Sequence, residues 1–228
     1  MTNPSPFQQG KEPALVLFDL DGTLIDSVPS LALAIDRMLE SLGRAPVGEL
    51  QVRQWVGNGA AVLVKRALSD SIVVDESLDG ALVERALEGF LAAYSQCSSQ
   101  GTLVYAGVKP FLEALSQRRI PMAVVTNKPL QFVPSILREL QLDGYFQLLV
   151  GGDCLTHKKP HPEPLLHAAK HFQVDPQRAL MVGDSCNDVK AARRALFPVA
   201  CVNYGYNHGA PIADSKPDWV VDSLMELL

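Results

Sequence analysis

Hydrophobic positions fall into two textures along the chain. The run Ala14-Leu15-Val16-Leu17-Phe18 is short and continuous, and it ends at Asp19-Leu20-Asp21-Gly22-Thr23, so it predicts a strand buried on both faces. From residue 29 to 42, Leu31, Ile35, Met38, Leu39 and Leu42 recur at helical spacing, with Ser27 as a candidate cap and Gly43 as a stop. Helical patterns follow over 52–56, 60–68 and 78–94, with no strand pattern among them. From Leu103 onward the texture alternates. Helices are predicted over 108–117, 132–140, 164–172 and 188–195, and strands over 122–125, 148–150, 180–182, 199–202 and 219–221.

Strands alternating with helices imply a parallel sheet covered on both faces. The expected fold is therefore α/β, a doubly wound, Rossmann-like parallel sheet, with residues 13–27 and 104–228 forming the core. Residues 28–103 are expected to form an α-helical cap inserted after the first strand. Residues 1–12, polar and containing Pro and Gln, are expected to be a loose tail. No internal repeat or low-complexity segment interrupts this plan.

Composition narrows the function classes. With 228 residues and 47% hydrophobic content the chain can bury a sizeable core. No window approaches the roughly 18 apolar residues of a membrane span, and the start Met1-Thr2-Asn3-Pro4-Ser5-Pro6 lacks a signal peptide's basic and apolar regions. A cytoplasmic protein without a membrane partner is expected. Net charge is −5 with no Lys/Arg block, which argues against nucleic acid as a partner. Cys97, Cys154, Cys186 and Cys201 are scattered without a Cys-x-x-Cys, so they read as reduced thiols. Monomer and homodimer both stay open.

Candidate chemistry gathers at strand ends. In a parallel sheet ligands bind beyond the carboxyl ends of the strands, and three predicted strands end in polar residues: Asp19 and Asp21, Thr126-Asn127, and Gly183-Asp184-Ser185. Lys159, in the Pro-fixed loop Lys158-Lys159-Pro160-His161-Pro162, would join them. Asp19 and Asp21 lie on the same side of an extended backbone, and two acids in one crevice call for a cation. With Asp184 and Asp188 nearby the donors are oxygens, which suits Mg²⁺ completed by a substrate phosphate, whereas zinc would favour imidazole or thiolate. Phosphoryl transfer needs such a set: a nucleophile, a metal, a cation, donors for the phosphoryl oxygens and an acid for the leaving oxygen.

Asp-Leu-Asp-Gly-Thr, Thr-Asn, the Lys-Pro loop and Gly-Asp-Ser-x-x-Asp, in that order, resemble the four motifs of the haloacid dehalogenase superfamily of phosphohydrolases. The resemblance spans nearly the whole chain, and the helical insertion is similar to that superfamily's cap. Trp55-Val56-Gly57-Asn58-Gly59-Ala60 and Tyr204-Gly205-Tyr206-Asn207-His208-Gly209 resemble, more narrowly, the bacterial phosphoglycolate phosphatases. The resemblance implies Mg²⁺-dependent hydrolysis of a small phosphorylated metabolite, 2-phosphoglycolate first among candidates. It implies Asp19 as nucleophile forming an aspartyl-phosphate, Asp21 as general acid and base, and Lys159 neutralising the nucleophile and phosphoryl oxygens. The metal would be held by Asp19, the carbonyl of Asp21 and Asp184, with Asp188 orienting that shell and Thr23 bracing the turn. Thr126 and the backbone of Asn127 would grip phosphate, and Gly57 and Asn58 would face substrate from the cap.

Competing readings are phosphatase or mutase action on another small ester such as a sugar phosphate, carbon–halogen hydrolysis, and a non-catalytic binding or regulatory protein of the same fold. Asp21 speaks against dehalogenation, because a departing halide needs no proton. His167 and His171, four apart on a predicted helix, are expected to be surface histidines, and Lys65 and Arg66 ordinary helix charges. Two departures from the relatives stand out. Ala195-Leu196-Phe197 lacks the glycine that would cap the last core helix, and His161 replaces an acid in the Lys-Pro loop.

Overall fold

The computed structural model describes residues 4–8 and 12–228. Six parallel strands make the main sheet: β1 (Leu15–Phe18), β4 (Met122–Val125), β5 (Leu148–Val150), β6 (Ala179–Gly183), β7 (Val199–Val202) and β8 (Trp219–Val221). Their order is β5-β4-β1-β6-β7-β8, so β1 is central and the order in which strands are added switches from one side of it to the other. Both faces are covered, as an uninterrupted apolar strand requires. Leu15 and Leu17 join one hydrophobic cluster, with Ala123, Val125 and Met181, while Val16 and Phe18 join the other, with Met122, Val124 and Val182.

Helices α5 (Val108–Gln117), α6 (Val133–Glu139), α7 (Glu163–Phe172) and α8 (Cys186–Ala195) connect the strands. Four more, α1 (Val28–Ser41), α2 (Gly48–Trp55), α3 (Ala60–Ser69) and α4 (Gly80–Ser95), follow β1 and form the cap. Leu31, Ile35 and Met38 of α1 are buried in one continuous cluster with Val52, Val64 and Phe90. No helix among the described residues is long and apolar enough to cross a membrane.

Three local features differ from the sequence expectation. A short antiparallel ribbon, β2 (Ile25–Asp26) with β3 (Leu103–Val104), joins the two ends of the helical insertion. Two residues carry no periodicity, so only the distant partner defines such a strand. Part of the expected loose tail is packed: Phe7 is 3% exposed, edge-to-face with Phe111 at 5.7 Å, and the carbonyl of Pro4 accepts from Trp219 Nε1 at 2.8 Å. Residues 1–3 and 9–11 of that segment lie outside the described residues. Ser27 precedes α1, but its hydroxyl makes no cap to the helix; it donates to Asp21 Oδ1 instead, at 2.5 Å.

The missing glycine after α8 is replaced by strain. Leu196 itself takes the left-handed conformation (φ 64°, ψ 32°) and is 67% exposed, while the next amide, Phe197 N, donates to Ala192 O at 2.9 Å. A non-glycine residue there costs about 1 kcal/mol.

Candidate active site

The carboxyl ends of β1, β4 and β6 bring the motif residues to one edge of the sheet. Asp19 directly follows β1, Thr126 follows β4 and Asp184 follows β6, and the loop before α7 delivers Lys159 from the side. Gly22 makes the turn after Asp21 possible: its φ is +89°, and a Cβ there would fall 2.4 Å from Asp184 Oδ2.

Asp19 is 8% exposed, and its Oδ1 accepts from the Leu20 amide at 2.7 Å and faces Lys159 Nζ at 3.0 Å. Its Oδ2 accepts no hydrogen bond among the described residues. Burial raises the Asp19 carboxyl to about 6, against the opposing pull of Lys159. Lys159 is fully enclosed, with Asp188 Oδ1 at 2.7 Å, and the two carboxylates outweigh the burial that disfavours its ammonium.

Asp188 is committed on both oxygens. While Oδ1 holds Lys159, Oδ2 accepts from the amide of Asp184 at 3.3 Å and from the amide and hydroxyl of Ser185 at 3.0 and 2.7 Å, forming the capping box that starts α8. A residue so occupied aims its neighbours. Asp184 accepts from Thr23 Oγ1 at 3.0 Å and from the Tyr206 amide at 2.8 Å, yet no lysine or arginine among the described residues pairs with it. Its proton affinity is raised by burial first and then by Asp188 and Asp19.

Asp19, Asp184 and Asp188 each place a carboxylate oxygen within 4.8 Å of the others. Three acids against one ammonium leave a deficit of positive charge in a buried place. The carbonyl of Asp21 also accepts no hydrogen bond among the described residues. Oxygen-only donors with unmet negative charge fit a hard divalent cation.

Asp21 lies apart from that cluster. Lys128 Nζ touches both its oxygens, at 2.8 and 2.9 Å, and is 5% exposed. Lys128 is a residue of this site that none of the sequence motifs marks. Its signal was its place: a lysine directly after Thr126-Asn127 at the carboxyl end of a buried strand.

The remaining predicted residues divide. Thr126 lines the cavity above Asp19 together with Asn127 and Gly57, but Asn58 does not; the Asn58 Oδ1 is instead buried without a partner among the described residues. Asn127 Nδ2 donates to Gly57 O at 3.0 Å and Lys159 O at 2.9 Å, and Asn187 Nδ2 also reaches Gly57 O, at 3.2 Å. One cap carbonyl is thus tied to two core loops. His208 adds a further tie, its Nδ1–H donating to Gln54 O at 3.2 Å. Asp21, Lys128 and Tyr94 also line the cavity, and apolar side chains, Leu31, Val56, Leu63, Phe90 and Phe132, make most of the remaining wall.

Arg66 is spent on the carbonyls of Trp55 and Ile72, at 2.5 and 2.9 Å, and His167 and His171 are exposed. His161 stacks on His157 with ring centroids 4.1 Å apart, and Glu163 lies beside them. These rings are 23° from parallel, so their in-plane lone pairs run alongside one another instead of converging on one point.

Comparison with known proteins agrees with this arrangement. A family model described as haloacid dehalogenase-like hydrolase matches residues 16–202. A protein of Nitrosococcus oceani named phosphoglycolate phosphatase is 49% identical over 217 residues, covering 95% of this chain and 96% of its own length. Phosphoglycolate phosphatase 1 of Pseudomonas aeruginosa is 48% identical over 228 residues, covering 100% of this chain and 83% of its own. The crystal structure of a predicted phosphoglycolate phosphatase from Haemophilus somnus superposes with a TM-score of 0.86 at 37% identity, covering 94% of this chain and 96% of that one. With its strand order, its cap and its acidic strand ends, the chain belongs to the haloacid dehalogenase-like hydrolase family.

Proposed function

We propose that this protein is a Mg²⁺-dependent phosphomonoesterase whose substrate is 2-phosphoglycolate, released as glycolate and phosphate. The observation that carries the reading is the pairing of two unlike carboxylates on one turn. Asp19 is buried with one oxygen anchored and the other open, while Asp21 stands beside it on a separate set of donors. Such a division suits a nucleophile and a proton carrier. The relatives' names supply the substrate.

Asp19 attacks phosphorus as the bond to the ester oxygen breaks, and Asp21 gives that oxygen a proton, so glycolate leaves and Asp19 holds an aspartyl-phosphate. Water then attacks this phosphorus, Asp21 takes its proton, and phosphate departs from a regenerated Asp19. Lys159 holds Asp19 in place and offsets charge on the phosphoryl oxygens, joined by Thr126 and the Asn127 backbone. Asp188 keeps Lys159 aimed. Mg²⁺, held by the carboxylates of Asp19 and Asp184 and the carbonyl of Asp21, would add positive charge for those oxygens. The apolar cap wall excludes water that could compete for the same donors.

The test is a substrate panel with and without Mg²⁺. The expected result is Mg²⁺-dependent phosphate release with the highest kcat/KM on 2-phosphoglycolate. Equal or better kcat/KM on sugar phosphates would remove the substrate assignment and leave the reaction class. Chloride release from 2-chloropropionate without Mg²⁺ would overturn both.

A further inference from the structure

Lys128 is the charged group of this site to which the motifs give no task. It follows the phosphate-side pair Thr126-Asn127, is almost fully buried, and lies 5.0 Å from the centre of the Tyr94 ring. Tyr94 belongs to α4, so the ammonium sits on the seam between core and cap. It is the only cation among the described residues that lines the cavity above Asp19. Of the other cations close by, Lys159 is engaged with Asp19 and Asp188, Arg53 with Asp26 at 2.8 Å, and Arg66 with cap carbonyls, while Lys158 Nζ lies behind Gly59 and is not part of the cavity lining. Beyond the phosphate-side residues the lining is Asp21, Tyr94, Lys128 and apolar side chains, so an anion entering there meets one counter-charge in the wall, Lys128.

We infer that Lys128 is the specificity-determining residue, receiving a carboxylate carried on the carbon next to the ester oxygen, in the place that Asp21 fills while substrate is absent. This rests on the phosphatase reading above. Asp21 now presents two carboxylate oxygens to one ammonium, at 2.8 and 2.9 Å, a contact that a substrate carboxylate reproduces. When the substrate takes the ammonium, Ser27 still holds Asp21 Oδ1, and Oδ2 is released toward the ester oxygen. A phosphomonoester lacking the second anion leaves Asp21 held by Lys128. It is therefore disfavoured in turnover as well as in binding. Selectivity then comes from a buried charge that rejects neutral analogues, which discriminates more sharply than an apolar wall.

The experiment compares kcat/KM for 2-phosphoglycolate and its neutral isostere 2-phosphoglycolamide, with Mg²⁺, in the unmodified protein, Lys128→Met and Lys128→Arg. Any general loss from disturbing Asp21 affects both esters and cancels in their ratio. The ratio is expected to favour the carboxylate strongly in the unmodified protein, to fall by about 30-fold or more in Lys128→Met, and to be largely kept in Lys128→Arg. Should Lys128→Met not fold, Lys128→Gln is expected to lose the ratio in the same way. Equal losses on both esters, with the ratio intact, would show that Lys128 serves Asp21 alone and overturn the inference. Equal handling of both esters by the unmodified protein would overturn it while leaving the phosphatase reading standing. Failure to release phosphate from either ester would remove both.

Discussion

Lys159 and Lys128 are both buried lysines paired with an aspartate of the same turn, yet their surroundings differ. Lys159 lies inside the core, where Asp19, Asp188 and Asp184 crowd one ammonium, and it is not among the residues that line the cavity. Lys128 faces one carboxylate, rests on a cap aromatic and lines the cavity itself. Burial works against both ammonium groups. Asp188 and Asp19 overcome it for Lys159, and Asp21 with Tyr94 overcomes it for Lys128. On the proposed reading the difference separates two tasks: the lysine crowded by three acids holds the reacting groups, and the lysine in balance with one acid is free to exchange that acid for a ligand.

Stability measurements can break this comparison. Lys159→Met removes the one ammonium that pairs, among the described residues, with the buried cluster of Asp19, Asp184 and Asp188, and should cost the metal-free fold about 3–5 kcal/mol, read by denaturant unfolding. Lys128→Met leaves Asp21 with Ser27 and partial access to solvent, its side chain 13% exposed, and should cost about 1–3 kcal/mol. Equal costs would mean that the two lysines share one structural role.

A second effect sharpens the core side of the comparison. Asp19 is raised from 3.8 to about 6 by burial, so the metal-free folded state binds its proton more tightly than the unfolded chain does. That contribution favours folding below 3.8 and is lost as pH rises through about 6. Mg²⁺ needs the ionised form, so its effect has the opposite direction. The rise in Tm on adding Mg²⁺ should be large near neutral pH and should fade as pH drops below about 6. A Tm gain that persists unchanged on the acid side would place the cation away from Asp19.

The smallest expected effect lies far from both lysines. Leu196→Gly relieves a left-handed residue at the end of α8 and removes an exposed apolar side chain, so it should stabilise by about 1 kcal/mol with activity unaltered. A loss of stability would show that Leu196 makes a contact worth more than its strain.

How much of this was legible in the chain depended on the range of the cause. The main-sheet strands are readable because each apolar run and the residue that ends it are adjacent in sequence, polar as with Phe18 and Asp19 or Val125 and Thr126, or glycine as with Val150 and Gly151. The acids and Lys159 were readable for the same reason, through strand ends and a Pro-fixed loop. The ribbon of Ile25 and Asp26 with Val104 and Leu103 was not, because its hydrogen bonds join segments separated by the whole helical insertion. Ser27 occupies a position that suits a helix cap, and only the fold brings Asp21 close enough to compete for the hydroxyl. Lys128 needed the same three-dimensional fact. In sequence it is a lysine in a turn before Pro129, and its burial comes from α4 closing over it. The link from Tyr206 N and Thr23 Oγ1 to Asp184 was likewise invisible until three separate loops met.

The central claim is that Asp19 carries the phosphoryl group during turnover. Acid quench of the protein turning over 2-phosphoglycolate with Mg²⁺, followed by peptide mass spectrometry, tests it directly. The account predicts one phosphoryl group on the peptide containing Asp19, and neither that group nor phosphate release in a folded Asp19→Asn variant. Undiminished phosphate release by Asp19→Asn, or a phosphoryl group trapped on a different residue, would contradict it.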